Sequence, residues 1–272
     1  MKSLSYIQRP NRPLHLYALL YLAFLYIPVL FLPLFSFNDS IFIAFPMKGF
    51  TTKWYASMVN NEPMLAALVN SIQVGVATSV FATILGLFGA KAVTRYRLPG
   101  QKPVVFVIML PLVIPGIILG VALLILLSRL GVSLSLYTVS LGHVLLCVPF
   151  SMATMIPRFE GFDKSMEEAS ADLGENVFWT FWRVTFPIVF PGILASLLLC
   201  FTISFDEFIM AFFLSGTDPT LPIFIYSQLR FPQRLPGVLA LGASMLVVTF
   251  FIVFFSHRLR RRGMAEMTEA GS

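Results

Sequence analysis

Two groups of residues in this sequence have types and spacings that could do chemistry. In the first, Asp206 and Glu207 sit side by side within an apolar run at 188–214. An acid at the centre of a hydrocarbon layer costs about 2.5–3.5 kcal/mol, so it marks either a polar pathway or an acid paired between helices. Phe205, Phe208 and Tyr226 add aromatic faces of the kind that attract an ammonium group. The chemistry on offer is cation recognition, and the competing reading is a structural ion pair or hydrogen-bonded acid. A helix starting near Pro187 would carry Asp206 ~28 Å along its axis, and neighbours on it would point about 100° apart. Both acids therefore cannot line one path equally.

The second group lies in the polar stretch from Asp163 to Pro187. Ser165 and Glu168 have the S-x-x-E spacing of a capping box, which predicts a helix starting at Met166. Met166, Ala169 and Leu173 then share a stripe at i, i+3 and i+7, with Glu167, Glu168, Asp172 and Glu175 on other faces. Gly174 is placed to end that helix in a left-handed conformation. Asn176 can cap a second short helix from Val177 to Arg183, ahead of Pro187 and Pro191. Two short helices joined at a glycine form a knob suited to a groove on a soluble partner. An interfacial membrane helix would carry basic rather than acidic residues on its polar face.

Enzyme chemistry finds little support. His15, His143 and His257 are dispersed, and Cys147 and Cys200 lie in apolar runs, so neither a metal set nor a nucleophile–base pair is expected. His143 reads as a hydrogen-bonded packing residue. No G-x-x-x-x-G-K-[ST] pattern occurs, so no P-loop nucleotide site is expected in this chain.

The elements that must hold these residues follow from composition. Of 272 residues, 57% are hydrophobic and 12% charged, against roughly 25% charged in soluble domains. Six apolar runs, near 14–37, 65–92, 104–128, 133–156, 188–214 and 236–256, match the ~20 residues that cross a bilayer as helix. The first run lacks a small-residue cleavage site and reads as a retained span. The chain divides into an N-terminal segment 1–13, a six-span bundle 14–256 with an inner loop 157–187, and a tail 257–272. With both termini inside, fourteen Lys and Arg residues fall on inner segments and five on outer ones, the asymmetry of a chain with cytoplasmic termini. The net charge of +6 is thus topological, and no nucleic acid is expected as a partner.

Glu168-Ala169-Ser170, Gly174 and Val184-Thr185-Phe186-Pro187 resemble the EAA-x3-G-x9-I-x-L-P loop of type I ABC importer permeases, with Ser170, Val184 and Phe186 as the substituted positions. The similarity extends along most of the chain to the spermidine/putrescine-type subfamily, especially its second permease subunit. It runs through Phe37-Asn38, Gly49-Phe50-Thr51, Trp54-Tyr55, Asn70-Ser71, Arg95-Tyr96-Arg97, the stretch Leu110 to Pro115, Ser204 to Phe208, and Thr220-Leu221-Pro222 with Ile225-Tyr226-Ser227. One departure stands out: Gly116 occupies a position where polyamine permeases tend to carry an acid.

The resemblance implies an all-α integral membrane fold of six transmembrane helices with cytoplasmic coupling helices, in a bacterial inner membrane. Glu168, Ala169, Ser170, Gly174 and Pro187 would couple to the ATPase. The chain itself would hold no cofactor, with ATP and Mg on two ATPase subunits docked at 157–187. A second homologous permease subunit, in a heterodimer, and an extracytoplasmic binding protein would complete the complex, in contact with membrane lipid. The cargo implied is a small cationic amine such as a polyamine, with an opine, a quaternary amine or an aminophosphonate as alternatives. An ion-coupled carrier would call for an inverted repeat, and none is evident.

Overall fold

The structure, a computed structural model, describes residues 12–96 and 99–251. Apart from an isolated bridge between Asn38 and Phe50, its regular structure is helical. Among the described residues five helices are long and apolar enough to cross a membrane, or six when one bent pair counts as a single span. Several positive residues assigned to inner segments (Lys2, Arg9, Arg97, Arg258 and Arg260 to Arg262), together with His257, lie outside the described residues.

The chain forms two compact units. The first joins the N-terminal part through Asn61 to the segment from Gln228 onward. It contains α1 (Arg12–Ser36), α2 (Lys53–Val59) and the helical segment Pro232–Phe251. Between α1 and α2 the backbone folds back on itself: Thr51 N–H donates to the Phe37 carbonyl at 2.8 Å and Asp39 N–H to the Gly49 carbonyl at 3.0 Å. Trp54 Nε1 donates to the Asn38 carbonyl at 2.9 Å, and the Phe37 ring packs on Phe50 and Tyr55. Residues separated in the sequence pattern at 37–38, 49–51 and 54–55 therefore form one local structure.

The second unit, Glu62–Ser227, holds both groups of interest. Its frame is α3 (Glu62–Arg95), α6 (Leu136–Glu160) and α9 (Phe186–Asp206). Between α3 and α6 lie α4 (Gln101–Met109), a 3₁₀ turn at Leu110–Leu112, and α5 (Gly116–Arg129). Helices α7 (Ser165–Asp172) and α8 (Val177–Thr180) join α6 to α9, and α10 (Ile209–Leu214) and α11 (Leu221–Gln228) follow.

Helices α6 and α9 run antiparallel and meet in three polar layers spaced one turn apart. His143 Nδ1 lies 2.8 Å from Ser204 Oγ, and Ser196 Oγ donates to Ser151 Oγ at 2.7 Å. Between those layers the Cys147 and Cys200 thiols each point to the other's carbonyl, at 3.8 and 3.7 Å. Thr83 Oγ1 brings α3 into the lowest layer, 3.0 Å from Ser196 Oγ. There α3 and α6 approach so closely that a Cβ at Gly86 would lie 2.0 Å from Ser151 Oγ. Lipid supplies no hydrophobic force between helices, so small residues and interhelical hydrogen bonds carry the association.

Two expected spans are broken. The run at 104–128 bends by 104° between Leu112 and Gly116. Pro115 has no N–H for the helix ladder and pushes Ile114 away from helical geometry, while Pro115 itself is extended at ψ 132°. The run at 188–214 stops at Asp206, where Glu207 turns extended with ψ 114° before α10 begins. Conversely, the second loop helix does not end at Arg183. It passes through a π-helical turn at Phe181–Thr185 straight into α9, so Val177–Asp206 is one apolar helix of 30 residues.

Candidate functional site

The knob is built by local signals acting in sequence. The Asp163 carboxylate accepts the Ser165 N–H at 3.0 Å, and that bond holds its carboxyl below the usual carboxylate range. This replaces the expected capping box: α7 begins at Ser165, and Lys164 precedes it without a side-chain cap. Glu168 instead pairs with Lys164 at 2.9 Å across one exposed turn, a type of contact that contributes little to stability. At the other end, Glu175 N–H donates to the Ser170 carbonyl at 3.2 Å and Gly174 N–H to the Ala171 carbonyl at 2.9 Å. That pair is the Schellman pattern, and Gly174 supplies the left-handed residue it requires with φ 89°. Asn176 then caps α8 by accepting the Trp179 N–H at 3.0 Å.

The two short helices are locked together by Ser170, whose buried hydroxyl lies 3.1 Å from that of Thr180. An alanine there would leave Thr180 without this bond. The predicted stripe faces outward: Met166 is 49% exposed, Leu173 is 87% exposed, and Ala169 between them is also exposed. Glu168 shares this open surface, with its side chain 61% exposed. Pro187 follows the π turn at Phe181–Thr185 inside the continuous helix, where its missing N–H interrupts the regular helical hydrogen bonding.

Glu167 is the residue that the sequence pattern did not single out. Its side chain is 14% exposed and meets Arg95 Nε at 3.0 Å and Lys91 Nζ at 3.7 Å, both on α3. Thr185 Oγ1, in the π turn, donates to the same carboxylate at 2.6 Å. Within α7 only Glu167 and Ser170 are not exposed, and spacing alone does not mark them, since Ser170 is the i+4 neighbour of the exposed Met166.

The residues of the first group are separated by the break after α9. Asp206 is the last residue of α9, exposed, and makes no ion pair among the described residues. Glu207 turns the other way, and its Oε1 accepts the N–H groups of Ile209 at 2.8 Å and Met210 at 3.1 Å. It caps α10. Phe208 meets Tyr226 with ring centroids 4.9 Å apart and Phe212 at 5.5 Å. Phe205 instead stacks on Phe201 of its own helix at 5.7 Å. Among the described residues no three His, Cys, Asp or Glu side chains gather as a metal site.

Comparison with known proteins places this geometry. Residues 82–264 match the family described as "Binding-protein-dependent transport system inner membrane component". The spermidine/putrescine transport system permease protein PotC of Escherichia coli (strain K12) is 35% identical over 240 residues, covering 88% of this chain and 90% of that one. The putrescine transport system permease protein PotI of the same strain is 32% identical over 270 residues, covering 96% of this chain and 95% of that one. Among solved structures, a bacterial ABC transporter involved in the import of the acidic polysaccharide alginate matches with a TM-score of 0.71 at 16% identity. That match covers 91% of this chain and 98% of the other, and is a likeness of fold.

Proposed function

The chain belongs to the binding-protein-dependent transport system inner membrane component family, as a membrane permease subunit of an ABC importer and not an enzyme; from that premise we propose that it forms half of the path by which a polyamine enters the cell. The relatives' substrates support this cargo over an opine, a quaternary amine or an aminophosphonate. Asp206 is the observation that carries the cationic reading. It is an acid exposed at a helix break within an apolar span, with no ion pair among the described residues. In secondary transporters the C-terminal ends of broken membrane helices coordinate cations, and Asp206 at the end of α9 offers the same chemistry here. The aromatic pair Phe208–Tyr226 borders the same break and offers ring faces to an ammonium group.

Coupling follows from the outward stripe of α7. Met166, Ala169 and Leu173, with Glu168 beside them, are the surface that enters a groove of the ATPase, which binds ATP and Mg. A second permease chain and an extracytoplasmic binding protein complete the complex. Lys91, Arg95, Lys102, Arg158, Lys164 and Arg183 lie in segments assigned to the inner face, which supports a cytoplasmic α7 and cytoplasmic termini. In the assembled transporter, Asp206→Asn is expected to lower polyamine uptake while the ATPase still co-purifies. Unchanged uptake of putrescine and spermidine would remove Asp206 from the path.

A further inference from the structure

Adjacent acids on α7 point to opposite destinations. Glu168 faces outward beside the exposed stripe, whereas Glu167 faces the bundle and is nearly enclosed. Its carboxylate is shared by two cations one turn apart on α3 and by the Thr185 hydroxyl at the foot of α9. The cations are themselves fixed. Arg95 Nη2 donates to the Phe162 carbonyl at 3.0 Å, and its guanidinium lies 4.3 Å from the Phe162 ring centroid. Lys91 Nζ stands 4.9 Å from the Phe181 ring centroid.

Helix α3 is an unbroken 34 residues, about 51 Å at 1.5 Å per residue. Near its opposite end, Asn70 Nδ2 donates to the Pro219 carbonyl at 3.0 Å, and Ser71 Oγ accepts the Leu221 N–H at 2.8 Å. These bonds hold the segment between α10 and α11, which follows the Asp206 break. One rigid element thus touches the knob at one end and the neighbourhood of the candidate path at the other.

We propose that Glu167 is the positioning residue that ties α7 to α3, so that displacement of α7 by the ATPase moves α3 as a body. The proposal rests on α7 being the ATPase-docking helix. Without Glu167, Lys91 and Arg95 face each other unneutralised, and α7 loses its ion pairs to α3 and its hydrogen bond to Thr185. Docking would persist while the stroke is lost.

The test uses the complete transporter in proteoliposomes, with both permease chains, the ATPase and the binding protein, and reads polyamine uptake per ATP hydrolysed. Loss of folded protein lowers both quantities together and leaves that ratio unchanged. Glu167→Gln is expected to retain the ATPase on purification and to lower the ratio about tenfold, within the range of coupling effects. Glu167→Asp, which keeps the charge, should recover most of it. An unchanged ratio in Glu167→Gln overturns the proposal. If that variant is not recovered from membranes, Arg95→Gln breaks the same contact from α3 and is judged by the same two outcomes. Absence of the ATPase from the unaltered purified complex would instead refute docking at α7.

Discussion

The hydroxyls of Ser170 and Thr180 lie 3.1 Å apart, closing the corner between α7 and α8. The family-like loop pattern has alanine at the position of Ser170, so this contact is a feature of the present chain. Replacing one partner leaves the other buried and unpaired, which costs about 1–3 kcal/mol. Thr180→Val and Ser170→Ala are each expected to destabilise the knob, and the double variant to cost less than their sum. A double-mutant cycle on thermal unfolding of the purified complex checks this; strict additivity would mean that the hydroxyls do not interact.

Gly174 adopts φ 89°, a conformation that β-branched residues avoid. Gly174→Val should introduce about 1–3 kcal/mol of backbone strain and loosen the turn that sets α8 against α7. The expected readout is continued ATP hydrolysis with reduced polyamine uptake. Normal uptake in that variant would show that the turn is not needed for coupling.

Asp206 and Glu207 should respond differently to the same substitution. Glu207→Gln weakens the capping of α10, an effect of about 1 kcal/mol, and should appear as a lower unfolding temperature. Asp206→Asn removes no hydrogen bond recorded among the described residues, so stability should hold while uptake falls. Measuring both properties for both variants separates a structural acid from a pathway acid, and equal effects would erase the distinction.

The contact of α3 with α6 at Gly86 leaves no space for a side chain. A Cβ there would fall 2.0 Å from Ser151 Oγ and 3.0 Å from the Met152 backbone nitrogen. Gly86→Ala should therefore separate the helices and cost about 1–3 kcal/mol. Ser151→Gly in the same chain should recover only part, because the backbone contact remains. Full-length chain recovered from membranes, followed through its unfolding temperature, is the measure.

What could be read from the sequence depended on how local each cause was. Hydropathy located the spans because twenty apolar residues in a row have few soluble uses. Gly174 and Asn176 were legible because capping acts over a few residues. The bend at Leu112–Gly116 was only half visible. Pro111 and Pro115 stand in plain sight, but the angle between the halves depends on how α5 packs. The capping-box pattern at Ser165 and Glu168 gave way to Asp163, which reaches the Ser165 N–H first. Glu167 stayed hidden because its partners on α3 are distant in the chain, and spacing within the loop carries no record of them. Glu207 looked like a member of an acid pair until the helix ended one residue before it.

ATP-driven polyamine uptake through this permease is measurable in a fully reconstituted system. Proteoliposomes containing the complete transporter, with binding protein on one side and ATP on the other, are supplied with labelled putrescine or spermidine. Uptake is expected to require ATP and the binding protein, and to be strongly reduced by Asp206→Asn. Polyamine uptake that proceeds at full rate without the ATPase subunits, or no polyamine uptake by a complex that actively hydrolyses ATP, would contradict this expectation.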